Sequence, residues 1–307
     1  MLFSVQAGAA IFGQDDRSYI TATSPDAARG RAVAIGILNT LVKTKNDGRI
    51  DIQADSMNAY MCKDERFYRD PSIGWGCTGF LIAPRLLVTA GHCQVNQGET
   101  RNNPGDYCQV YRWLFDFQAD AQGNTPIKDL DPARLYDCKR TIYAVVDEKN
   151  PYNDFALIEL DRDVVGREPL VLSNDDNVSV GQSVHMVGHP LASPMKLTAN
   201  AKVTKNVGEA KQYLTDLDAM DGNSGSPVFN ARNEVIGILV AGTPADLFYK
   251  DPVLKCDRYN VCDENGLNCR TPTTQENTTP FYPENGALIQ RLAPLKEILR
   301  QHKEGRL

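Results

Sequence analysis

Apolar and polar residues along this chain are arranged in short runs of strand-like period. Arg31–Leu38, Cys108–Phe115, Cys138–Val145, Asn153–Leu160, Ser183–Gly188 and Glu234–Val240 are continuously apolar or alternate, and Gly, Asn, Asp or Pro punctuates the sequence between them. Leu86–Thr89, just before His92, reads the same way. Short runs of this kind predict strands, and their lengths suit closed barrels of an all-β protein. The exception is the C-terminus. Leu288–His302 carries apolar residues at helical spacing, with Pro294 near the start, where proline is tolerated. A C-terminal helix is predicted there.

The chain has 307 residues, enough for two barrels of ordinary domain size. Its 33 basic and 39 acidic residues leave a net charge of −6 without long runs, which argues against nucleic acid or an anionic membrane as target. No stretch approaches the roughly 20 apolar residues of a membrane span. Eight cysteines point to an oxidising, extracytoplasmic compartment. Cys256, Cys262 and Cys269 fall in one polar loop, without a close Cys-x2–4-Cys pair or a nearby histidine, so disulfides are expected there rather than a metal, one of them joining the loop to Cys62. Cys108 and Cys138 form a plausible cross-strand pair. No metal and no cofactor is called for.

Two glycine-rich segments carry the chemistry. Thr89-Ala90-Gly91-His92-Cys93 supplies an imidazole, and Asp221-Gly222-Asn223-Ser224-Gly225-Ser226-Pro227 a hydroxyl. A serine hydroxyl is a poor nucleophile until a base takes its proton and a carboxylate orients that base. Asp154, at the mouth of an apolar run, is the expected carboxylate; Asp147 and Asp161 flank less apolar sequence. The nucleophile elbow of an α/β-hydrolase is disfavoured, because Ser226 stands where its last glycine should be and the only histidine after Ser224 is His302, in a polar tail.

Cys77–Ile82, Leu86–Cys93, Asp154–Leu157 and Gly222–Pro227 together resemble the chymotrypsin-like peptidases, and among them the bacterial secreted glutamyl endopeptidases. Ala10–Arg17 looks like the mature N-terminal region of that branch. The resemblance runs from about residue 10 to about residue 240. It implies two six-stranded antiparallel β-barrels with His92, Asp154 and Ser224 in the cleft between them. The polar stretch Arg162–Pro169 is then the linker. The expected division is an N-terminal segment 1–30, a first barrel 31–165, and a second barrel 166–307 that carries a cysteine-rich loop 246–280 and the C-terminal helix. The resemblance further implies a Cys77–Cys93 bridge, a removed signal peptide, and a cut before Ala10 or Ile11. Met1–Ala7 is too short to be a signal in itself. The oxyanion is assigned to the backbone N–H groups of Gly222 and Ser224. Asn223 replaces the aspartate that in animal digestive enzymes pairs with a new N-terminal ammonium, so other contacts must shape this loop.

Side-chain preference is less legible. Glutamyl endopeptidases bind the acidic side chain through a histidine and a hydroxyl residue, where this chain has Leu239 and Ala219. The remaining expected pocket residues are Val240, Ala241, Gly242 and Asp218. Asp218 stands six residues before Ser224, where trypsin-like enzymes place the base of an arginine/lysine pocket. It is expected either to play that part or to cap the loop and point away. His185, His189, Trp75 and Trp113 are read as structural. Asn177–Ser179 and Asn277–Thr279 match the glycosylation pattern only. The expected protein is a monomeric, secreted or periplasmic bacterial serine endopeptidase acting on proteins or peptides. The rival reading is a narrowly selective or inactive relative that works by binding one partner, with the cysteine loop as an exosite.

Overall fold

The computed structural model describes residues 10–74, 76–95, 100–101, 106–147, 153–207, 211–242, 247–270 and 286–307. Trp75, the segment before Ala10, the Asn277 sequon and parts of the cysteine loop lie outside the described residues. Twelve strands form the framework. Val33–Leu38 (β1), Thr78–Ala83 (β2), Leu86–Thr89 (β3), Tyr111–Phe115 (β4), Leu135–Val146 (β5) and Asp154–Leu160 (β6) make the first barrel. Ser183–Gly188 (β7), Lys196–Val207 (β8), Gln212–Thr215 (β9), Pro227–Phe229 (β10), Val235–Ala241 (β11) and Ala287–Arg291 (β12) make the second.

The first barrel runs β1-β2-β3-β6-β5-β4 and closes back on β1. The second repeats the same order as β7-β8-β9-β12-β11-β10, closing on β7. All these pairings are antiparallel, and closure leaves no long free edge in either barrel.

Strand composition follows from burial on both faces. Five of the six residues of β1 are buried, and all seven of β11, so these strands read as continuous apolar runs instead of alternating ones. Trp113 on β4 is 1% exposed and lies over Gly36 and Gly79. A Cβ at Gly79 would sit 2.7 Å from the indole, so the large ring is accommodated by a glycine on the neighbouring wall. One apolar cluster is continuous across both barrels: Phe155 and Leu157 share it with Leu214, Ile238, Val240 and Leu288. That shared core fixes one barrel against the other, and with them the two halves of the cleft.

The C-terminal helix α1 spans Ala293–Lys303, with Pro294 in its first turn and Leu295 and Ile298 buried. The helical spacing read from Leu288 starts too early. Residues 287–291 are all buried and pair with β9 and β11, so sheet pairing on both sides overrides the local periodicity. Cys108 likewise precedes its strand, in the short helix Asp106–Val110.

A third layer lies outside the barrels. Ile11–Phe12 pairs in parallel with Val261–Cys262, and Arg17–Tyr19 adds to β8 at Lys196–Thr198. Disulfides Cys62–Cys256 and Cys262–Cys269 staple this layer, alongside Cys77–Cys93 and Cys108–Cys138 in the first barrel. Beneath it, the buried Lys196 ammonium donates to Asp70 Oδ2 at 2.6 Å and to Ser193 Oγ at 2.9 Å. Tyr19 OH donates to the same Asp70 carboxylate, so that bond and the pairing of Arg17–Tyr19 with β8 attach the N-terminal segment to the second barrel.

Candidate active site

His92 sits in a tight turn, Gly91–Cys93, that follows β3. The turn fits because residue 91 has no side chain: a Cβ there would lie 1.9 Å from the Val145 carbonyl oxygen. Disulfide Cys77–Cys93 ties the turn to the start of β2. Asp154 opens β6, next to β3, and is 1% exposed. Its Oδ2 accepts from His92 Nδ1 at 2.8 Å, and its Oδ1 accepts the His92 backbone N–H at 3.0 Å. Two bonds from one residue fix both the turn and the ring. With Nδ1 committed, Nε2 is the nitrogen left to serve as base.

Burial disfavours the charged imidazolium. The Asp154 carboxylate, its hydrogen bond and the nearby Asp221 charge outweigh that penalty, so the His92 pKa is raised above its ordinary value.

Ser224 is 8% exposed and lies on the loop that leads into β10. Gly225 has φ +89°, and a Cβ on it would meet the Thr78 carbonyl oxygen at 2.1 Å and Thr89 Oγ1 at 2.3 Å. Here glycine lets the nucleophile loop press against the strands that lead to His92. Thr78 N–H donates to the Ser224 carbonyl at 2.8 Å, and Thr78 Oγ1 donates to the Gly222 carbonyl at 2.8 Å. Gly222 has φ +90° and is hemmed in by His189 O and Ala192 N. With the Gly222 carbonyl held from behind, neither Gly222 nor Ser224 N–H donates to an acceptor among the described residues. Two free N–H groups flanking a serine are what a developing oxyanion requires.

Two residues of this arrangement were not singled out in the sequence. Thr78 adds to its two donations an acceptor role toward His189 N–H at 3.1 Å. Gln290 on β12 accepts the Asp154 backbone N–H at 3.0 Å, across the barrel interface. Thr78 falls inside the Cys77–Ile82 segment, but nothing local marks its hydroxyl, and the bonds to Gly222 and Asp154 span 144 and 136 residues.

The residues expected to line the pocket are all buried: Ala219 and Leu239 pack in the core of the second barrel, Val240 and Ala241 in the core shared by both, each 2–3% exposed, and Gly242 is buried as well. Asp218 is 2% exposed, and both its oxygens are occupied. Oδ1 accepts Phe12 N–H at 2.8 Å and Oδ2 accepts Asp16 N–H at 3.0 Å. Both acceptors are thus turned toward the N-terminal segment, 206 and 202 residues away in sequence, instead of capping the loop that carries Asp218. Burial pushes the Asp218 carboxyl up to about 7, against the pull of those two N–H groups and Arg17. His189 is fully buried, donates from Nδ1 to the Ser193 carbonyl at 3.0 Å and stacks on Phe117. Its pKa is forced down to about 3 by burial, which suits a neutral packing group. The sulfurs nearest His92 belong to the Cys77–Cys93 disulfide, which leaves no thiolate there to bind a metal.

A family model described as a trypsin-like peptidase domain matches residues 77–238, from the start of β2 into β11. The glutamyl endopeptidase of Staphylococcus aureus strain MRSA252 is 37% identical over 107 residues, which is 33% of this chain and 29% of that protein. That of strain MW2 is 36% identical over 111 residues, 34% and 33% of the two chains. The match therefore spans about a third of the length of these curated relatives. The solved structure of a Glu endopeptidase in complex with MPD aligns over 96% of this chain and 100% of its own, with a TM-score of 0.51 and 15% identity, a likeness of fold.

Proposed function

The chain belongs to the trypsin-like peptidase domain family, and we propose that it is a secreted or periplasmic serine endopeptidase whose nucleophile is Ser224. Ser224 Oγ attacks the peptide carbonyl while His92 Nε2 accepts its proton. Asp154 stabilises the imidazolium, and the tetrahedral oxyanion is held by Gly222 and Ser224 N–H. The imidazolium then protonates the leaving amine, and water hydrolyses the acyl-enzyme by the same route. The observation that carries this reading is the double tie of Asp154 to the His92 ring and backbone, with Gly225 of the Ser224 loop set against Thr89 and Ala90 just ahead of the His92 turn. Four disulfides among the described residues support an oxidising compartment.

For the residue on the acyl side of the cleaved bond, we propose an uncharged side chain. The expected pocket walls Ala219, Leu239, Val240 and Ala241 are apolar, and the carboxylate of Asp218 is already taken up by two N–H donors. A guanidinium would have to displace those bonds, and a glutamate would meet no cation or hydroxyl at positions 219 and 239.

The test is steady-state hydrolysis of a peptide panel varied at that residue: Ala, Leu, Phe, Arg and Glu. The proposal expects the uncharged peptides to be cleaved at least tenfold more efficiently than Arg or Glu, with Ser224→Ala inactive on all. Arg as the preferred residue would return Asp218 to the role of pocket base.

A further inference from the structure

The oxyanion loop needs a brace, because Asn223 cannot make the ion pair that an aspartate at that position would. Its amide is fully buried, and neither its oxygen nor its nitrogen has a hydrogen-bond partner among the described residues. The segment just ahead of it is gripped at Asp218 and Met220 by the N-terminal stretch of the chain. Phe12 and Asp16 N–H both donate to the Asp218 carboxylate. Arg17 Nη1 reaches Met220 Sδ at 2.9 Å, and the Met220 side chain packs with Ile11, Met57, Met61 and Tyr259. Arg17 is itself held: Asp15 accepts from its Nε and Nη2 at 2.8 Å, and the Tyr259 ring lies 4.3 Å from its Cζ. Two alternate residues before Gly222 are thus fixed by one stretch of chain, 11–17. That stretch is in turn paired to Val261–Cys262 and stapled through Cys262–Cys269.

We infer that Asp218 is a positioning residue for the oxyanion hole, and that residues 11–17 act as a built-in strap that sets the loop by backbone N–H donation. The inference rests on the peptidase reading above and adds to it how the loop is shaped without an ammonium–carboxylate pair. A strap made of internal N–H groups does not require a newly cut chain end. A loosened strap lets Gly222 N–H drift from the position the oxyanion will occupy. That loss falls on the transition state and therefore on kcat, for every substrate equally.

The experiment compares wild type, Asp218→Asn and Asp16→Pro on the same peptide panel, with fluorophosphonate inactivation rates and melting temperatures measured in parallel. Asp218→Asn turns an acceptor into a donor facing a donor. Asp16→Pro removes one N–H and leaves the carboxylate in place, so it still tests the strap if Asp218→Asn fails to fold.

With the fold intact, each variant should lose about 10- to 100-fold in kcat, less than removal of a whole oxyanion donor. The factor should be the same for Ala, Phe, Arg and Glu peptides, with KM within about twofold and inactivation slowed in parallel; this uniform loss on kcat is the signature of a transition-state contact. The double variant should lose no more than the worse single one. A loss concentrated on Arg peptides would make Asp218 a pocket base and overturn the inference. Unchanged kcat in folded Asp218→Asn or Asp16→Pro would overturn it too, while leaving the peptidase reading intact. A wild type that neither cleaves nor labels would remove both.

Discussion

At the scale of single residues, the decisive group is His92, whose charge state is set by Asp154. The base must be neutral to act, and its pKa is raised by the Asp154 carboxylate, so kcat/KM should rise with pH through a midpoint above 6.5. Asp154→Asn should lower that midpoint and cut kcat by about 10⁴-fold, the scale seen when a triad loses its carboxylate. A pH–rate profile of both proteins checks this. Stability runs the other way. The folded-state pKa lies above the unfolded one, so the His92–Asp154 pair contributes fully below about pH 6.5. That contribution fades as pH rises through the folded-state value. The enzyme is thus expected to be most active where this pair stabilises it least.

Thr78 poses a second test at the same scale. Thr78→Val keeps the shape but removes both the donor to the Gly222 carbonyl and the acceptor for His189 N–H. The expected result is a kcat about 10- to 100-fold lower with KM little changed, measured by steady-state kinetics.

At the scale of elements, glycines decide how closely the pieces approach. Gly225→Ala would place a methyl 2.1 Å from the Thr78 carbonyl oxygen at φ +89°, so the nucleophile loop must move away from β2 and β3. Gly225→Ala should lose all measurable activity and melt several degrees lower, since strain at positive φ alone costs about 1–2 kcal/mol. The His-turn and Ser-loop motifs were legible in the sequence because each is local: glycine, the reacting side chain and the following turn are consecutive. The strands were legible where burial is one-sided or apolar runs are bounded by turn residues. Ala287–Arg291 was not, because its strand identity comes from neighbours 47 to 78 residues away, while its local pattern joins smoothly to the helix that follows. Asp218 was legible only as a candidate, either the base of a pocket or a loop cap; its partners are backbone N–H groups of a distant segment, which have no side-chain signature.

At the scale of the molecule, two barrels with the same strand order share one core, and the proposed triad draws His92 and Asp154 from the first and Ser224 from the second. The Gln290 bond to the Asp154 N–H crosses that interface. Gln290→Leu should leave a buried N–H unpaired and cost about 1–3 kcal/mol, with activity falling as Asp154 loses its anchor. Denaturant melts and kcat of the variant check this.

The most direct test of the account is intact mass after exposure to a fluorophosphonate, with Ser224→Ala alongside. The wild type should take up a single adduct and Ser224→Ala none, and adduct formation should slow when His92 is replaced by alanine. Folded wild-type protein that takes up no adduct, or an adduct that persists on Ser224→Ala, would contradict it.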